Sequence, residues 1–197
     1  MKRSILIFCT TTLTFTPIAA SAHVGIGDTH GFVQGFWHPL SGIDHTLAMV
    51  AVGLFAAHLG GRALWLVPST FVAVMVVAGI AGMAGLNLSF AEIGIGMSVV
   101  VLGLAVAVQL SVPTLVAMGI VGFFATFHGH VHGAEMPQTA SALFYGAGFV
   151  CATIFLHAVG VTLGLAIGSM GQVYNRRIVQ IGGAGMAIAG GAILSLS

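Results

Sequence analysis

From residue 42 to residue 196 the chain is a succession of six apolar runs, at 42–59, 64–83, 91–108, 114–127, 142–168 and 178–196. Most of them approach the roughly 20 residues that carry a helix across a bilayer. The runs are continuous rather than alternating apolar and polar, which selects helices over a membrane β-barrel. A helix also satisfies its own backbone groups, as hydrocarbon requires. Of the 197 residues, 58% are hydrophobic and only 5% charged, against about a quarter charged in a soluble domain. So few charges cannot cover a water-facing surface. The expected fold is all-α: a polytopic transmembrane helical bundle of about six spans.

The amino terminus reads differently. Lys2 and Arg3 precede an apolar stretch, and Ala20-Ser21-Ala22 forms a small-x-small site before His23. That is the pattern of a secretory signal peptide, 1–22, leaving 23–197 as a single transmembrane helical domain. With the mature amino terminus periplasmic, the first, third and fifth turns are cytoplasmic. They hold Arg62, Arg176 and Arg177, the only basic residues left, as the positive-inside rule demands. All four acids, Asp28, Asp44, Glu92 and Glu135, fall on the other side. So do His23, His30, His38, His128, His130 and His132, with His45 in the first turn of the first span. His58 sits at an inner end and His157 within the fifth span. The expected location is a bacterial inner membrane.

Other features are structural. Gly160, Gly164 and Gly168 repeat every four residues, a spacing that lets helices approach closely. Cys151 is the one cysteine beyond the signal and reads as a small packing residue, so no thiolate metal site is expected.

Two constellations carry chemistry. The first is His38-Pro-Leu-Ser-Gly-Ile-Asp44-His45. Pro39 suits a helix start or break, which places His38 on a turn just before the helix of Asp44 and His45. Adjacent helical residues diverge by about 100°, so one of that pair ligates while the other supports it, or the first turn is irregular. Imidazole with carboxylate suits nickel, cobalt, zinc or iron rather than magnesium or calcium. The second is Phe127-His128-Gly-His130-Val-His132-Gly-Ala-Glu135. On a helix continuing past Phe127, His128, His132 and Glu135 form one stripe and His130 points away. Gly129 and Gly133 weaken such a helix, or let the segment fold around an ion. The histidine pair has zinc-protease spacing, but Gly129 stands where a glutamate would follow the first histidine. Glu92 and His157 occupy span positions where ionisable groups mark a pathway or a partner, and His23 would offer an amine with its imidazole after cleavage.

These paired motifs, with Gly-Ile-Asp-His-Thr-Leu-Ala-Met at 42–49, Glu92, Gly94, Ser98 and Leu156-His157, resemble the HupE/UreJ family of small permeases. The resemblance implies nickel or cobalt supply to hydrogenases and ureases. It implies metal binding by His38, Asp44, His45, His128, His132 and Glu135, with Glu92 and His157 as further ligand or pathway candidates; His130, an addition of this sequence within the second motif, and His23, at the expected mature terminus, are candidates outside the resemblance. The function expected is a secondary permease, not an enzyme, that captures nickel at a periplasmic site and imports it, with cobalt next and zinc last among candidate ions. Its partners would be the metal ion and the lipid bilayer, with no nucleic acid and with homo-oligomerisation left open. Uptake should weaken as pH falls towards ~6, because ligating imidazoles must be neutral. The alternatives are an intramembrane zinc hydrolase and a metal-binding accessory subunit of another transporter.

Overall fold

The computed structural model describes residues 29–136, 141–170 and 172–196. The signal peptide expected at 1–22, and His23 with it, lie outside the described residues. Seven helices follow in order among those described: α1 (Thr29–Ser41), α2 (Ile43–Leu59), α3 (Ala63–Met83), α4 (Ala91–Ala107), α5 (Thr114–Ala134), α6 (Ala142–Gly168) and α7 (Gln172–Leu194). The protein is all-α. Four helices are long and apolar enough to cross a membrane alone: α3, α5, α6 and α7 from Arg176. α1 from Gly31 and α2 meet the same criterion only together, as a pair bent by 82°, and α4 is a shorter apolar helix.

Glycines set the packing where backbones touch. A Cβ on Gly129 would fall on the Met75 carbonyl, and one on Gly133 on the Gly79 carbonyl. α3 and α5 therefore run side by side, in parallel, at a distance no other residue permits. The glycines of the second motif interrupt no helix: α5 continues unbroken to Ala134, seven residues beyond the run's expected end at 127. Gly160 meets the backbone of Val50 and Gly53, and Gly164 meets Ala57, whereas Gly168 faces open space. The four-residue repeat thus joins α6 to α2 through two of its three members. α4 and α7 pack antiparallel, with Gly183 against Gly103 and Ala107 and Gly96 against Leu194. Arg176 and Arg177 consequently lie at the same end of the bundle as Arg62, opposite Asp44, Glu92 and Glu135.

The core lies between α2, α3, α4, α5 and α6, where Met49, Val52, Phe55, Phe71, Leu102 and Val121 are fully buried. The outer faces are apolar too: Leu115, Phe123, Leu143 and Ile181 are exposed, as lipid contact requires. Trp37 and Trp65 are exposed near opposite ends of the bundle, where indoles sit at membrane interfaces. Cys151 is exposed and free, so it faces outward from α6 instead of packing in the bundle.

Candidate metal centre

The break between α1 and α2 shapes the site. Gly42 takes an extended conformation (φ −91°, ψ 121°) and ends one helix before the next begins. Pro39 is tolerated within the last turn of α1, so His38 lies on a helix and not on a preceding turn. The Ser41 hydroxyl donates to the His38 carbonyl (2.7 Å) and the Thr46 hydroxyl to the Pro39 carbonyl (3.2 Å). These bonds occupy carbonyls that the helix end leaves without donors. α1 rests on the first turns of α6, with Gly35 against the Tyr145 backbone and Gly148 against Phe32 and Phe36. His38 is thereby held over the bundle end, beside Tyr145 and Phe149.

Three buried imidazoles converge beneath it. His45 of α2 and His128 and His132 of α5 each offer a ligand nitrogen, and the three lie within 4.8 Å of one another. Ring centroids are 5.0 Å apart for His45 and His128 and 4.3 Å for His45 and His132. A second triad overlaps the first: His38, His132 and the exposed Glu135 also fall within 4.8 Å. His132 belongs to both.

Hydrogen bonds decide which nitrogens are free. An ionised carboxylate only accepts, so the 2.7 Å contact between His45 Nδ1 and Asp44 Oδ1 places the proton on Nδ1. The His45 backbone N–H donates to the same oxygen at 2.9 Å. Nε2 of His45 is left buried with no partner among the described residues. Ser98 works similarly on His128. Its hydroxyl spends its one proton on the Ile95 carbonyl (2.6 Å), so it can only accept from His128 Nε2 at 2.9 Å. Nδ1 of His128 is then a bare lone pair, also unpartnered, as are both nitrogens of His132. Carboxylates and hydroxyls that hold the far nitrogen of a ligating histidine are the usual support of metal sites. One lone pair from each of the three imidazoles, gathered at one buried spot without a hydrogen-bond donor among the described residues, is a donor set that a cation satisfies.

The surroundings are apolar. Phe71 lies 5.5 Å from His128, and Phe149 lies 4.5 Å from His132, between ring centroids. Gly94 receives the ring of Phe127 where any Cβ would collide, which seats α4, and Ser98 with it, against α5.

The other candidates fall elsewhere. Asp44 touches His45 and joins neither triad. Glu92 is exposed in the first turn of α4, outside both. His130 points to the α3–α4 connection, its Nε2 donating to the Leu86 carbonyl at 2.5 Å. His157 is buried on α6, near Phe71, away from the triads. In the sequence Ser98 stands out only through the family resemblance and as a hydroxyl within the apolar run 91–108.

Fold and site together define a helical membrane protein with a candidate metal centre buried near one end of its bundle. The model of the HupE / UreJ protein family matches residues 11–193. Protein HupE of Rhizobium leguminosarum bv. viciae is 47% identical over 179 residues, covering 90% of this chain and 91% of that one. The chain belongs to the HupE/UreJ family. No solved structure matches it.

Proposed function

We propose that the chain is a secondary permease that captures a divalent transition metal ion, nickel or cobalt, and carries it into the cell. The observation that carries this reading is the convergence of His45, His128 and His132 within 4.8 Å inside a membrane bundle. Imidazole ligands suit late first-row ions and not magnesium or calcium. The choice of nickel and cobalt among such ions rests on the family, as does supply to hydrogenase or urease maturation.

The helix break supports transport as well as binding. Broken helices are a recurrent way for transporters to present backbone and side-chain ligands to an ion, and here the break lies at the outer end of α2, beside the first ligands. The ion enters from the end carrying Asp44 and Glu135, taken as periplasmic, and first meets His38, Glu135 and His132. It then exchanges His38 and Glu135 for His45 and His128, with His132 ligating throughout. The membrane potential favours inward movement of a cation.

Purified protein in liposomes tests the reading. Nickel and cobalt should enter the lumen, and His45→Ala and His132→Ala should abolish entry. Wild-type protein that binds nickel without moving it would instead be an accessory subunit, and metal-dependent cleavage of lipid or peptide would mark a hydrolase.

A further inference from the structure

We propose that His157 is a second binding station for the transported ion, in the half of the bundle that carries the arginines. This rests on the permease reading and extends it beyond the two motifs.

His157 is 3% exposed, and neither of its ring nitrogens has a hydrogen-bond partner among the described residues. The other histidines away from the triads whose side chains are described, His58 and His130, behave differently. His58 pairs with the Gln109 carbonyl at 2.8 Å, and His130 with that of Leu86. A neutral imidazole kept for packing alone would satisfy its N–H, as buried polar groups generally do. His157 instead lies at the floor of an open groove of about 510 Å³ between α3 and α6, lined also by Leu64, Pro68, Ser69 and Val72 and rimmed by the exposed Trp65 and Ile154. Those α3 residues belong to the half that starts at Arg62, so the groove lies on the arginine side of the triads.

Two oxygen-bearing groups of α3 belong to residues of this groove. Pro68 sits inside α3 and has no N–H to give the carbonyl of Leu64, four residues earlier. Ser69, with its hydroxyl, lines the same groove. One imidazole with a carbonyl and a hydroxyl is a weaker donor set than three imidazoles, as a station that must release its ion requires. Phe71, fully buried, stands between the stations: its ring contacts His128 at 5.5 Å and His157 at 5.1 Å between centroids. An ion passing from His128 to His157 would have to pass that ring.

The test compares wild type with His157→Leu and with His157→Cys, the latter in a chain also carrying Cys9→Ser and Cys151→Ser. Equilibrium dialysis with nickel and uptake into liposomes are measured on the same monodisperse preparations. His157→Leu should bind one ion fewer per chain at saturation, keep the affinity of the tight site, and take up nickel at least tenfold more slowly. His157→Cys should recover uptake and lose it again to a membrane-impermeant thiol reagent applied from the side bearing Arg62. Wild-type uptake and wild-type ion count in His157→Leu would overturn the station. Should wild type move no ion at all, the permease reading falls. The station is then judged on the ion count: one ion fewer in His157→Leu upholds it, and an unchanged count overturns it.

Discussion

The carboxylate of Asp44 lies 2.7 Å from Nδ1 of His45, its neighbour in the chain, and accepts the backbone N–H of the same residue at 2.9 Å. Successive residues on a helix seldom meet side chain to side chain, because about 100° separates them. Here they meet because the pair occupies the first turn of α2, directly after the extended residue Gly42. The bond fixes the tautomer of His45 and turns Nε2 towards His128 and His132.

Asp44→Asn should therefore act on metal binding rather than on folding. An amide can donate to Nδ1 as readily as accept from it, so the lone pair is no longer held at Nε2. Loss of such a supporting partner typically weakens a metal site by about 10- to 100-fold. Nickel titration of the purified variant should show that loss with the helical content unchanged, and wild-type affinity would refute the assignment.

Ser98→Ala removes the acceptor for His128 Nε2–H in a wholly buried place. An unpaired buried donor costs about 1–3 kcal/mol. The metal-free variant should melt earlier in detergent, and nickel should bind about tenfold more weakly. Equal melting temperatures would show that the His128 N–H has found another partner.

Gly42 tests the break itself. A Cβ there would lie 2.8 Å from Asp44 Oδ1 and 2.9 Å from His45 Nδ1. Gly42→Ala should thus disrupt the same pair, and its effect on nickel affinity should not add to that of Asp44→Asn, since groups acting as a unit are non-additive. Full additivity in the double variant would separate the two.

Gly129→Ala and Gly133→Ala force methyl groups into the backbone of α3. Overpacking of this kind costs about 1–3 kcal/mol or more, so both should unfold at lower denaturant than wild type. Gly119→Ala and Gly146→Ala, with no atom within 4 Å, serve as controls and should behave as wild type.

Glu135 is exposed and completes only the outer triad. Glu135→Gln should raise KM for nickel uptake severalfold and leave kcat near wild type, whereas His128→Ala should abolish uptake. A fall in kcat alone for Glu135→Gln would place that carboxylate deeper in the pathway than the triad suggests.

Composition and the length of the apolar runs determined the fold class by themselves, because a chain with 5% charged residues has lipid as its only adequate solvent and helix as its simplest form there. The histidine motifs were equally legible, since i, i+4 spacing on α5 is a local property of the helix. Tertiary structure decided the rest. Only the packing of α2 beside α5 brings His45 against His128 and His132 across more than 80 residues of chain. No periodicity shows that Ser98 holds one histidine and Asp44 another, that Glu92 stays outside, or that His38 rides on a helix of its own. Those facts depend on how closely backbones approach and on which donor each buried nitrogen meets, and both are settled only when the helices pack.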